Sequence, residues 1–227
     1  QILLRRRPTG LVQPEDTELV STPAPAPAVG EALLRTTYVG LDAAARTWLN
    51  DQPGYLPPVQ IGEVIRAAGI GEVVETRCDA FKVGDVVTTL TGFQDYSIIR
   101  DDVFATPVTP GSDQLAVMSM YGPTGATAYM GMTDIGRPQA GETVVVSAAA
   151  GATGSVAGQI AKIAGARVIA AASTDDKCAF CKQLGADETI NYSTQDLRER
   201  LKELTAGQGP DVIYDPVGGD YAEPAMR

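Results

Sequence analysis

The stretch from Glu142 to Gly158 narrows the possibilities for this chain more than any other. Three consecutive valines, Val144 to Val146, read as a strand buried on both faces, since β-branched side chains favour the pleated backbone. Gly151 and Gly154 then break a run of small residues that continues with helical character to Ala164. Strand, glycine turn and helix in that order make an anion site: the first amides of a helix lack internal partners, and the positive end of its dipole lies there. Gly151 is expected to permit the sharp turn, Gly154 to let a pyrophosphate approach, and Gly158 to let the helix lie close to the sheet. The predicted diphosphate cradle is therefore the backbone around Ala150, Gly151, Thr153 and Gly154. A purely structural βα turn would share the pattern, but here all three parts are present in sequence.

The same alternation continues downstream. Strands are predicted over Arg167–Ala172, Glu188–Tyr192 and Asp211–Asp215, with a helix over Asp175–Leu184. A second helix carries Leu197, Leu201 and Leu204 on one stripe, with Ser193 or Thr194 as its N-cap and Gly207 as its stop. Repeated βα units imply a parallel sheet covered on both faces. The first half differs. Pro23–Pro27 is an extended connector, and strands are expected over Ala32–Val39, Gly69–Thr76, Phe81–Val87 (through a tight turn) and Gly92–Ile99. Short strands with glycine and proline turns suggest a small barrel-like β domain. Between the halves a helix is expected over Met118–Thr133, with a turn at Pro123-Thr124-Gly125 inside it. At 227 residues the chain can hold two modest domains, drawn here as 1–117 and 118–227. A sheet ending at the last of these strands leaves an apolar edge, which points to a chain truncated at its C-terminus. The missing initiator methionine points to trimming at the other end.

Composition removes several classes of function. A net charge of −10 disfavours nucleic acid, whose phosphates it would repel. No apolar run reaches the roughly 18 residues of a membrane span, and none resembles a secretory leader. Three cysteines are too few for a disulfide framework and suit a reducing, cytoplasmic setting. The chain contains no histidine, which removes the usual zinc ligand sets and the general base of serine or cysteine triads; no metal is expected. Cys178 and Cys181 have thioredoxin-like spacing, but nothing else supports that chemistry, and they are read as buried helix residues.

The tip of the second strand of the βα region bears on the choice of dinucleotide. An NAD site wants a carboxylate about 20 residues past the glycines, to bind the ribose 2′-hydroxyl. Here the strand ends in Ser173 and Thr174, with Lys177 one turn on, which suits a 2′-phosphate and favours NADPH. Asp175 and Asp176 are either first-turn charges of the helix or rival ligands for a 2′-hydroxyl.

Taken together, the residues resemble the zinc-independent medium-chain dehydrogenase/reductase superfamily over nearly the whole chain. Gly69–Glu75 and Phe81–Val87 carry the signature of its β domain, and Ala148–Gly154 continuing to Lys162 carries its nucleotide signature. Tyr55–Glu63 and Thr124–Tyr129 are similar to the curcumin reductase and prostaglandin reductase branch, whereas Gly185–Tyr192 and Asp215–Gly219 look more like quinone oxidoreductases. The resemblance implies a GroES-like β-barrel domain followed by a Rossmann doubly wound sheet. It also implies NADPH-dependent reduction of the carbon–carbon double bond of an α,β-unsaturated ketone. By the same resemblance Lys177 and Tyr192 contact the 2′-phosphate, with Ser173 beside them. Thr124 and Thr127 lie near the cofactor, as do Val217 and Gly218 of the Pro216–Gly219 phrase. Tyr55 stands at the substrate mouth, with a loop aromatic packed between Pro53 and Pro57 as the alternative. The chain departs from the branch at Leu41–Arg46, where an expected tyrosine is absent, and at Gly62-Glu63-Val64, where zinc-dependent relatives carry a histidine. Quinone reduction, a crystallin-like NADPH-binding role without catalysis, and an enoyl reductase module of a larger synthase are the competing expectations. A homodimer is expected only if the full C-terminus is present.

Overall fold

The computed structural model describes residues 1–102 and 104–219. The chain divides into two compact units, Gln1–Met118 and Ser119–Arg227.

In the first unit β1 (Ile2–Leu4) and β2 (Thr17–Leu19) form an antiparallel pair that the sequence reading did not anticipate. The main sheet is built from β3 (Glu31–Val39), β4 (Gly69–Thr76), β5 (Val86–Thr89), β6 (Tyr96–Arg100) and the short β7 (Thr106–Pro107). Its order is β6-β3-β4-β5-β7, and every pair is antiparallel. Ala32, Leu34, Val73, Val87 and Ile99 bury one face, where Phe81 packs with them. Phe81 is thus core rather than the start of a strand. The chain turns at Gly84, whose φ is +92°, while the Lys82 amide donates to Asp85, and β5 begins only at Val86. The fourth predicted strand is shortened in the same way, by a turn at Gly92 (φ +67°). A short helix, α1 (Ala44–Thr47), precedes a second cluster of Leu4, Leu49, Val59 and Ile65.

The helix expected over Met118–Thr133 is two helices, α2 (Gln114–Met120) and α3 (Pro123–Met130). The break falls before Pro123, not at it: proline lacks the amide that a helix interior needs and sits at the first position of α3. A π-helical turn, Gly131–Gly136, closes α3 against the sheet, where a Cβ on Gly131 would lie 2.6 Å from the Tyr214 ring.

The second unit continues as β8 (Thr143–Val146), α4 (Ala152–Ile163), β9 (Arg167–Ala172), α5 (Asp175–Gln183), β10 (Glu188–Asn191), α6 (Leu197–Leu204) and β11 (Val212–Tyr214). The four strands are parallel in the order β10-β9-β8-β11. In chain order that is 3-2-1-4, the first half of a doubly wound sheet with one strand of the second, and the winding direction switches between β8 and β11. All three valines of β8 are fully buried because the sheet is covered on both sides. Val144 and Val146 meet Ala157 and Ala161 of α4, whereas Val145 meets Leu197 and Leu201 of α6. Each such valine contributes roughly 1.5–3 kcal/mol by leaving water. The leucine stripe of α6 is as expected, but its cap is not. Asp196 accepts the Glu199 amide at 2.9 Å, while Ser193 and Thr194 lie outside the helix. Among the described residues no helix is long and apolar enough to cross a membrane.

Candidate functional site

The carboxyl ends of all four parallel strands open on one edge of the sheet, and the chemistry-bearing residues of the second unit gather there. The end of β8 is held from both sides: the Ser147 amide donates to Tyr214 of β11 (3.0 Å), and the Ala149 amide donates to Ala171 of β9 (3.1 Å). Between these anchors the chain reverses at Ala148, with φ +42°, and the Gly151 amide closes the turn on the Ala148 carbonyl at 2.7 Å. The left-handed residue of the turn is therefore an alanine, at a cost of about 1–2 kcal/mol. Gly151 itself is extended (φ −79°, ψ 172°) and is the N-cap of α4. It does not supply the turn by its conformation, as expected from sequence. A Cβ there would sit 3.0 Å from the Ala148 carbonyl oxygen.

Gly154 also does the packing expected of Gly158. A Cβ on Gly154 would fall 2.4 Å from the Ala148 carbonyl oxygen, so this glycine seats the helix on the turn. Gly154, Ala157 and Ala161 share one helical face, and all three are buried. Gly158, one turn on from Gly154, faces β9 more loosely, since an added Cβ would come no closer than 3.9 Å, to the Val168 side chain.

The N-cap of α4 provides no side-chain hydrogen bond, in contrast to α5, capped by Thr174, and α6, capped by Asp196. The amides of Ala152, Thr153 and Gly154 thus form a positive helix terminus without a side-chain cap from its N-cap residue, fitted to a diphosphate. Ala150 is in the turn just before it.

At the tip of β9 the Lys177 ammonium lies 3.1 Å from the Ser173 hydroxyl, both next to the first turn of α5. Tyr192 follows the last residue of β10, its amide bonded to Ala172, and its side chain is exposed. The three residues expected to meet a 2′-phosphate therefore stand on adjacent strand tips, and a hydroxyl, a cation and a phenol fit that group. Asp175 is engaged: its carboxylate accepts the Asn191 side-chain amide at 2.7 Å.

Beyond β11, Asp215 organises the Pro216–Gly218 loop. Its carboxylate accepts the Ser147 hydroxyl and the amides of Val217 (2.9 Å) and Gly218 (3.0 Å). Burial would raise this carboxyl, but those three donors outweigh it and hold Asp215 below the usual carboxylate range. With their amides occupied, Val217 and Gly218 can offer a ligand only carbonyls and the exposed Val217 side chain. Ser147, Asp215 and Asn191 were missed from sequence. The available signal was positional, since each is a polar residue at or just past the end of a strand of the parallel sheet. Thr124 is half-buried in the first turn of α3, and the Thr127 hydroxyl donates back to the Pro123 carbonyl at 2.7 Å.

In the first unit Tyr55 is 77% exposed and packs edge-on against Trp48, with ring centroids 6.3 Å apart. Arg66 covers the same indole. Arg46 bonds the carbonyls of Pro8 and Gly10 and the Asn50 side chain, a structural role. Cys178 and Cys181 are buried, and burial pushes both thiols up, which suits packing rather than redox exchange. Among the described residues no group of three histidine, cysteine or carboxylate side chains could hold a metal.

Two family models match the chain: the N-terminal domain of oxidoreductase over residues 1–106 and zinc-binding dehydrogenase over residues 152–227. YfmJ of Bacillus subtilis (strain 168) is 40% identical across the whole chain and 67% of its own length. The NADPH-dependent curcumin reductase of Escherichia coli (strain K12) is 37% identical over 96% of this chain and 63% of its own. The crystal structure of CurA in complex with NADPH from Vibrio vulnificus superposes with a TM-score of 0.91 at 38% identity, covering all of this chain and 67% of that one. The chain thus spans about two thirds of the length of the relatives it matches.

Proposed function

Because the chain belongs to the medium-chain dehydrogenase/reductase superfamily, we propose that it is an NADP-dependent oxidoreductase that reduces the carbon–carbon double bond of α,β-unsaturated ketones. One observation carries the reading: at a single sheet edge, the α4 terminus with no side-chain cap stands with the Ser173–Lys177 pair. A helix terminus of this kind takes a diphosphate, and a hydroxyl with a cation takes the extra phosphate that separates NADPH from NADH. When bound, the cofactor supplies a hydride for the β-carbon of the substrate, and the α-carbon then takes a proton.

The protein's part is to bind and orient. Ala150, Gly151, Thr153 and Gly154 hold the diphosphate through backbone, and Ser173, Lys177 and Tyr192 hold the 2′-phosphate. Thr124, Thr127, Val217 and Gly218 border the cofactor on the β11 side of β8. Tyr55 donates a hydrogen bond to the ketone oxygen as enolate charge develops there. Free rather than paired cysteines support a cytoplasmic setting.

The test is consumption of NADPH with an α,β-unsaturated ketone and, in parallel, a quinone. Reduction of the ketone to its saturated product is expected. Turnover of the quinone alone would transfer the protein to quinone reduction, and saturable binding without turnover of either would make it a nucleotide-binding protein. Lys177→Ala should weaken NADPH about tenfold more than NADH, since only NADPH loses an ion-paired phosphate contact; equal loss would contradict the assignment of that site.

A further inference from the structure

The site proposed for the 2′-phosphate has a carboxylate at its edge. Asp175 opens α5, two residues after Ser173, and Lys177 follows two residues later. A free carboxylate at this place on the strand tip would accept a ribose 2′-hydroxyl and repel a 2′-phosphate. It is not free. Asn191, the last residue of β10 and only 8% exposed, donates its side-chain amide to the Asp175 carboxylate at 2.7 Å.

The orientation of that amide is dictated by its other end. The Ser193 backbone N–H points at the Asn191 side-chain oxygen from 3.1 Å, and a backbone N–H can only donate. The oxygen must therefore face Ser193, which turns the NH2 toward Asp175. The backbone around Asn191 is held as well: its amide donates to the Gln195 side chain (3.0 Å), and its carbonyl accepts the amides of Thr194 and Gln195. The Ser193 hydroxyl in turn donates to the Ser173 carbonyl at 2.8 Å, fixing the tip of β10 to that of β9. Asn191 is a buried, fully oriented donor aimed at Asp175, the first of the two carboxylates in the opening turn of α5.

We propose that Asn191 is a specificity-determining residue, which favours NADPH over NADH by holding Asp175 in a hydrogen bond and out of the ribose site. The proposal rests on the assignment of this edge to NADPH. Asn191 acts through Asp175 and touches no cofactor itself.

The experiment is a set of binding titrations with NADPH and NADH, followed by nucleotide fluorescence, on the wild type, Asn191→Ala, Asp175→Ala and the double variant. Asn191→Ala should weaken NADPH about tenfold, because the released carboxylate meets the phosphate, while NADH binds as well or better. The double variant should recover NADPH affinity to within about threefold of wild type, since the offending charge is gone. A merely structural asparagine would lower both nucleotides together and would not be rescued by a second substitution; either result overturns the proposal. Asp175→Ala alone, folded by circular dichroism, should leave the preference within about threefold of wild type, and a tenfold shift there would also count against it. If the wild type binds neither nucleotide, the functional reading and this inference fall together. If it prefers NADPH and Asn191→Ala leaves that preference unchanged, only the inference falls.

Discussion

At Gly154 the space for a β-carbon is taken by backbone, with the Ala148 carbonyl oxygen 2.4 Å from where that carbon would be, and backbone cannot swing aside as a side chain can. Gly154→Ala should therefore lift α4 off its turn and cost about 1–3 kcal/mol, with loss of nucleotide affinity. Gly158→Ala, one turn along the same helix, meets nothing closer than 3.9 Å. It should stabilise by up to about 1 kcal/mol, because alanine loses less backbone entropy than glycine in a helix. Urea midpoints of the two variants shifting in opposite directions would bear this out, and a common shift would refute it. The glycine pattern was readable from sequence, but the division of labour within it was not. Which glycine touches backbone depends on the left-handed turn at Ala148, and residue type does not announce that an alanine will take such a turn. Ser173 and Lys177 were readable because they are four residues apart at the start of a helix. Ser147 and Asp215 were not, since they are 68 residues apart and meet only once β8 and β11 are paired.

Among elements, α6 separates what periodicity can reveal from what it cannot. Its leucines fall three and four residues apart, and two of them are buried against the sheet, so the helix and its inward face follow from spacing alone. Its start depends on which polar residue of the Ser193–Asp196 run turns its side chain to the first amides, and three candidates compete. The chain leaves β10 through turn bonds from Thr194 and Gln195 to the Asn191 carbonyl, which delays the helix until Asp196 can cap it. Asp196→Ala should destabilise by about 1 kcal/mol through the unsatisfied Glu199 amide. Thr194→Ala, which only removes a bond back to Asn191, should change stability by less than about 0.5 kcal/mol. Thermal unfolding of the two variants checks the assignment, and a larger loss at Thr194 would return the cap to that residue. The same competition explains the two shortened strands of the first unit. Gly84 and Gly92 take positive φ and use as turns residues whose composition reads as strand.

Across the whole molecule, the absence of histidine and the abundance of engaged carboxylates give stability a definite dependence on pH. No side chain with an ordinary pKa between about 5 and 8 is present, since histidine is the residue that fills that range. Carboxylates held low are found in both units. The Arg6 guanidinium lowers Asp16, with the Gln13 amide, and the Ala28 amide lowers Glu31, with Arg100 assisting. In the second unit burial opposes the shift, yet Lys162 and the Val168 amide prevail at Asp187, as Ser147 and its loop do at Asp215. A carboxyl whose folded pKa lies below its unfolded value of about 4 binds more protons when unfolded. Its contribution is therefore complete above that value and is lost as pH falls through the folded pKa. The melting temperature should be flat from about pH 5 to 8 and fall below about pH 4. Ser147→Ala gives the sharper test. Removing the hydroxyl raises the folded pKa of Asp215, so the variant should be less stable than wild type at pH 7, with the gap narrowing as the pH is lowered through the acid limb. A gap of constant size would mean that Ser147 acts through packing alone, and that Asp215 does not hold the loop beyond β11 as an ionised acceptor.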